Sequence, residues 1–184
     1  MKPRNYSSEG VVLARRNFGE ADRILIVFSK HFGKLSLLAK GVRKPKSKKR
    51  GHIEIFSQFR FSANRGKGLD IITEVEIINS QQNLRKDLKK VAVCYFLMEA
   101  VAKVTHDEER NLNLYQLIID SINKLQETNN LKGLRKDYIY KLLTSLGYWP
   151  IEKVMSDPDK ELEKVIERKL YSIRVGRKIL EKAS

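Results

Sequence analysis

Two hydrophobic periods divide the chain. From residue 7 to residue 79, apolar side chains alternate with polar ones or fill short runs, as they do in β-strands. From residue 84 they recur at intervals of three and four, which puts them on one stripe of a helix. The first part reads as five strands. Ser7–Arg16 leads into the turn Asn17-Phe18-Gly19-Glu20. Arg23–Ser29 is a β-branched apolar run suited to a well-buried strand. The short turn His31-Phe32-Gly33-Lys34 makes a hairpin with Lys34–Ala39. After a loop over Lys40–Arg50 comes Ile53–Ser62, with Ile53, Ile55, Ser57, Phe59 and Phe61 on one face. Glu54, Phe56, Gln58, Arg60 and Ser62 take the other face. Arg65-Gly66-Lys67-Gly68 is a glycine turn into Leu69–Asn79, which alternates clearly. Five short strands with no long helix between them fit a small barrel.

The helical part opens with Leu84, Leu88, Val91, Tyr95, Met98, Ala102 and Thr105 on one stripe. It is apolar nearly all round from Val91 to Leu97, which predicts a central buried helix. Asn111 or Asn113 caps a second helix carrying Tyr115, Ile118, Ile122 and Leu125. Leu131–Leu146 reads as a third, ended by Gly147 and stopped by Pro150. Ser156-Asp157-Pro158-Asp159 looks like the start of a fourth, running toward Lys182 with a break at Gly176. The fold class is therefore α+β. A five-stranded barrel over residues 1–80 precedes an all-helical domain over residues 81–184.

Composition narrows the function. The 184 residues are 41% hydrophobic, enough to bury a core. Unbroken apolar runs, such as the five residues of Ile24–Phe28, are far short of a membrane span. The start has no apolar signal segment, so a cytoplasmic protein without a membrane partner is expected. A single cysteine, Cys94, excludes an intrachain disulfide and a multi-cysteine zinc site. Its place inside the apolar helix makes it a small hydrophobe rather than a nucleophile.

Charge supplies the strongest clue. The net charge is +15, which favours a polyanionic partner. Residues 1–80 carry 17 Lys and Arg against 7 Asp and Glu, a net of +10; residues 81–184 carry 20 against 15, a net of +5. Within the loop at residues 40–50, seven of eleven residues are cationic and none is acidic: Lys40, Arg43, Lys44, Lys46, Lys48, Lys49 and Arg50. Gly41 and Pro45 keep it irregular, so the side chains fan out. Arg15, Arg16, Arg65 and Lys67 extend this track as nucleic-acid-binding candidates. Neutralising about five phosphates of a single strand gives a log–log salt slope of roughly −3.5. A fourfold rise in salt then weakens binding on the order of a hundredfold. Bases also need rings to stack on; Phe18 and Phe56 are the stacking candidates.

Catalytic readings fare badly. His31, His52 and His106 lie far apart without metal-binding spacing, and the phosphate-loop pattern is absent. Asp107-Glu108-Glu109 follows a helix, where solvation is the common role of such a run. The strand-borne acids Asp70, Glu74 and Glu76 lack an evident metal-binding companion. The residues call for no catalytic group, metal or cofactor. A nuclease is the weakest alternative; an OB-fold RNA-binding or ribosome-associated protein fits barrel and charge equally well.

Phe18-Gly19-Glu20-Ala21-Asp22-Arg23, Phe28-Ser29, Gly33-Lys34 and Ala39-Lys40-Gly41-Val42-Arg43-Lys44 with Ser47 form an ordered set of motifs. Gly51, Phe56-Ser57, Leu69 to Glu76, Leu84 to Leu88, Asn111 to Tyr115, and Leu146-Gly147-Tyr148 with Pro150 continue it. Over about residues 7–150 this set resembles the bacterial DNA repair protein family RecO. The resemblance implies an OB-fold barrel followed by helices. It implies a recombination mediator that binds single- and double-stranded DNA and anneals complementary strands without ATP. Its implied partners are RecR, often RecF, RecA, and the acidic C-terminal tail of single-strand-binding protein. The tail is expected on the helical domain, where Lys132, Arg135, Lys136 and Lys141 are the candidate cations. The implied location is the cytoplasm, at the nucleoid. Many members carry a four-cysteine zinc module shortly after the position of Pro150; here residues 151–158 hold no cysteine. A metal-free, reduced member is the expectation.

Overall fold

The computed structural model describes residues 4–47 and 53–166. The loop positions Lys48, Lys49 and Arg50, and the helical segment expected beyond residue 166, lie outside the described residues. Five strands form first: β1 (Asn5–Phe18), β2 (Asp22–Ser29), β3 (Gly33–Ala39), β4 (Gln58–Asn64) and β5 (Asp70–Asn79). A single 3-10 turn at Leu84–Lys86 leads to α1 (Leu88–Val104), α2 (Leu112–Glu127), α3 (Leu131–Ser145) and α4 (Pro158–Val165). Among the described residues, no helix is long and apolar enough to cross a membrane.

The sheet closes on itself in the order β1-β2-β3-β5-β4. β1 makes closure possible because it is long enough to serve two neighbours. Its first half pairs with β4 (Asn5↔Asn64 to Val11↔Gln58) and its second with β2 (Gly10↔Ser29 to Phe18↔Asp22). The register slips between Val12 and Ala14, the local irregularity that lets a strand turn a barrel corner. β3 and β5 close the wall in parallel through Leu37↔Asp70 and Leu38↔Ile71. This is a five-stranded barrel of the OB type. Inside lie Val12, Leu25, Val27, Leu37, Phe59, Phe61 and Ile72, all buried. Full burial of such a side chain stabilises the fold by roughly 1.5–3 kcal/mol.

One strand departs from the expectation. Ile53–Ser57 is not part of β4. Phe56 adopts a left-handed backbone (φ 59°) in a turn closed by Ser57 N–H donating to the Glu54 carbonyl at 3.0 Å. The turn is tied to β1, with Phe56 N–H donating to Val12 O and Val12 N–H to Ser57 O. This rotates the Phe56 ring inward, where it is 1% exposed.

The chain divides into two compact units. The first comprises residues 1–81 together with 105–112; the second comprises 82–104 and 113–184. Segment 105–112 is held on the start of β3. Lys34 Nζ donates to Thr105 O at 2.5 Å and lies 3.3 Å from Asp107, while Glu108 N–H donates to Lys34 O at 2.9 Å. Gly33 makes the approach possible: a Cβ there would sit 2.0 Å from the Glu109 carbonyl oxygen.

In the second unit α1 buries Val93, Cys94, Phe96, Leu97 and Val101. Burial pushes the Cys94 thiol well above its ordinary range, so it stays protonated. α3 contacts both α1 and α4, and the buried Tyr138 hydroxyl donates to Leu97 O at 3.1 Å. The local signals expected at Gly147 and Asp157 are found at two ends. Asn130 caps α3 by accepting from Gly133 N–H, and Gly147 (φ 76°) follows its last turn. Asp157 caps α4 ahead of Pro158, accepting from Lys160 N–H. α1 starts later than its stripe, because Asp87 takes the N–H groups of Lys89 and Lys90.

Candidate nucleic-acid interface

The first residues of the cationic loop are fastened to the β1–β2 turn. Gly41 N–H donates to Asp22 Oδ1 at 2.7 Å, and Arg43 N–H to Ala21 O at 2.8 Å. Arg43 Nη1 reaches the Gly19 carbonyl at 3.1 Å, and Val42 is fully buried. Gly41 has φ 65°, a left-handed turn that favours glycine. Two tight turns follow, Lys44 N–H to Gly41 O and Ser47 N–H to Lys44 O. The loop therefore leaves the barrel in a defined direction.

This anchoring gathers Phe18, Lys40, Arg43 and Lys44 at one end of the barrel. Phe18 is 51% exposed and open to a stacking base. Lys40, Lys44, Lys46 and Arg16 are exposed and have no carboxylate partner among the described residues. Arg15 differs: it is bonded to Glu54, which also lies 3.5 Å from Arg23. Two guanidinium groups around one carboxylate still leave an excess positive charge. Phe56 is buried and offers no ring face. Arg65 and Lys67 follow β4, whose end pairs with Asn5 at the far end of β1. They do not join the cluster.

The outer face of β4 and β5 has the opposite character. Arg60 lies between Glu76 (2.8 Å) and Glu9 (3.5 Å), Lys30 pairs with Glu9 (3.4 Å), and Ser62 donates to Glu74 (3.3 Å). Three carboxylates there face two cations, so a polyanion gains nothing from that side.

On α3 the four candidate cations separate. Arg135 is bonded to Asp159 with its guanidinium 4.1 Å from the centre of the Phe96 ring. Lys141 pairs with Asp137 at 2.7 Å. Lys132 and Lys136 are exposed, one turn apart on the same face, with no carboxylate partner among the described residues. No group of three or more His, Cys, Asp or Glu among the described residues could hold a metal ion.

Sequence reasoning missed the anchor of the loop. Asp22 and Gly19 fix it, and both belong to the Phe18–Arg23 motif, so that motif is the signal. Glu54 as the partner of Arg15 had no local signal, since it lies 39 residues away.

An OB-type barrel with a cationic end, continued by a helical unit, is an architecture on which nucleic-acid binding is often built. Comparison with known families narrows it. Residues 1–81 match the family described as "Recombination protein O N terminal", and residues 85–154 match "Recombination protein O C terminal". The chain belongs to the RecO family. It is 32% identical over 146 residues to the DNA repair protein RecO of Pelotomaculum thermopropionicum, covering 79% of this chain and 57% of that one. It is 32% identical over 149 residues to that of Dehalococcoides mccartyi strain 195 (81% and 59%). With the RecO of Halalkalibacterium halodurans it shares 27% over 176 residues (96% and 65%). The chain thus spans about three fifths of the length of the curated relatives it matches.

Proposed function

We propose that this protein is a DNA-binding recombination mediator. Its barrel unit holds single- and double-stranded DNA by phosphate contacts from Lys40, Arg43, Lys44, Lys46, Lys48, Lys49 and Arg50, with Arg16 beside them and Phe18 stacking on a base. The observation that carries this reading is the exposure of Lys40, Lys44 and Lys46 without carboxylate partners among the described residues, on a loop whose base is fixed by Asp22 and Gly19. Fixing the base lowers the entropy lost when DNA is gripped. Annealing needs only that two strands be concentrated and their repulsion screened by the same cations. The proposal therefore assigns no bond-making group, metal or cofactor.

The family supports further expectations: cooperation with RecR and, in part, RecF, and assistance to RecA on DNA covered by single-strand-binding protein, at the nucleoid in the cytoplasm. For the helical unit we propose packing and partner docking, with Lys132 and Lys136 receiving the acidic, Asp-Phe-ending tail of single-strand-binding protein. Arg135 and Lys141 are engaged elsewhere and take a smaller part.

Anisotropy titration with single-stranded DNA between 50 and 200 mM salt tests the central reading. A log–log slope of about −3.5 is expected. A flat response, or unchanged affinity after the loop cations are replaced by glutamine, overturns it. Annealing of complementary strands coated with single-strand-binding protein tests the mediator role. Calorimetry with an Asp-Phe-ending peptide tests the docking site.

A further inference from the structure

A cavity of about 220 Å³ opens at the end of the barrel opposite the cationic loop. Its walls come from the start of β1, the β2–β3 turn, the β4–β5 turn and segment 105–112. Tyr6 and Phe32 supply an aromatic side, their rings edge to face with centres 4.7 Å apart. Asp70 supplies a carboxylate whose position is fixed twice, by the Tyr6 hydroxyl donating at 2.6 Å and by Gly66 N–H at 3.1 Å. Burial and the Asp70 carboxylate both push the Tyr6 hydroxyl well above its ordinary range, so this donor persists at any working pH. Arg65 lies against the Tyr6 ring at 5.2 Å, and its Nε is buried without an acceptor. Glu108 and His31 complete the rim.

A buried donor left without an acceptor costs about 1–3 kcal/mol, and in native proteins such groups usually meet water or a ligand. Here the Arg65 guanidinium, a fixed acceptor and aromatic rings line one small space. The volume is below the range of about 300–1,000 Å³ that holds drug-sized ligands, and suits one planar ring system. The required ligand offers acceptors toward Arg65 and donors toward Asp70 or Glu108. Guanine presents O6 and N7 as acceptors and its N2 amino group as a donor, and arginine is its commonest partner.

We propose that this cavity receives a single unstacked guanine from a bound strand. The inference rests on the nucleic-acid reading given above. The end carrying Lys40 lies one strand length away. β2, which joins the two ends, spans about 23 Å at roughly 3.3 Å per residue. That is about seven nucleotides at 3.4 Å spacing, within the range of 4–16 nucleotides bound per OB fold.

The test uses dT12 and the same strand with one internal dG, dA or dC, in anisotropy titrations at fixed salt. The dG strand is expected to bind about tenfold tighter than dT12. That preference should vanish in Arg65→Gln and in Phe32→Leu, each checked for folding by circular dichroism, while binding of dT12 and its salt slope stay as in the parent. A second arm titrates dGMP, dAMP, dCMP and dTMP into the unaltered protein, following amide shifts of residues 31–33 and 65–70 by NMR. Shifts confined to those residues and specific to dGMP are expected. Equal affinity for the four strands with no dGMP shift overturns the pocket and leaves phosphate binding standing. A dG preference that survives both substitutions overturns its location. Failure to bind any strand, together with a silent dGMP arm, removes both readings; a dGMP response without strand binding removes the phosphate-binding reading and, with it, a bound strand as the source of the guanine.

Discussion

The loop end of the barrel and helix α3 both looked cationic in sequence, yet they hold their charges differently. On α3, Arg135 is bonded to Asp159 and set against Phe96, and Lys141 is paired with Asp137. At the barrel end, Lys40, Lys44 and Lys46 stand exposed without carboxylate partners among the described residues, and Arg43 donates to a neutral carbonyl. A cation already paired must break that contact before it can neutralise a phosphate, so its net contribution is small. Counting lysines and arginines therefore overstates α3 and understates the loop.

The largest expected effect breaks the comparison from the barrel side. Replacing Lys40, Arg43, Lys44 and Lys46 with glutamine should weaken single-strand binding about a hundredfold at 50 mM salt. It should also reduce the salt slope by about 2.8 units, as anisotropy titrations would show. The matching change on α3 should act on stability instead. Arg135→Ala leaves Asp159 unpaired at a mostly buried site and removes the contact with Phe96. Urea unfolding should report a loss of about 2 kcal/mol, with DNA affinity unchanged. A drop in DNA affinity of the folded variant would erase the distinction.

Glu54→Gln sharpens the contrast from the opposite direction. It releases Arg15 and Arg23 from their shared carboxylate, and should tighten DNA binding about threefold at low salt. Weaker or equal binding would show that these guanidinium groups do not face DNA. The smallest effect is expected from Lys132→Gln with Lys136→Gln, less than about twofold on DNA affinity. A larger loss in the same titration would place DNA on the helical unit.

Much of the fold was legible because its determinants are local. Alternation over Leu69–Asn79, the apolar run of β2 and the helix signals at Gly147 and Asp157 all correspond to observed elements. The fourth strand misled for a physical reason. Ile53, Ile55, Ser57, Phe59 and Phe61 keep the period of a strand, but the left-handed turn at Phe56 is imposed by hydrogen bonds to Val12, 44 residues earlier. Alternation cannot report a bond that distant. The same limit hid Glu54 from Arg15 and Arg65 from the Tyr6–Asp70 pair. The loop itself was readable, since one-sided charge needs no tertiary information; its anchorage through Asp22 did.

The return of residues 105–112 to the barrel bears on how the molecule can be taken apart. The matched family region ends at Gln81, but the barrel's own material does not. A fragment cut at that boundary would strip the Lys34 ammonium of Thr105 and Asp107, and bare the glycine surface on which Glu109 rests. Modular transplantation of this barrel would thus require supplying that distant octapeptide in trans or splicing it back through a linker.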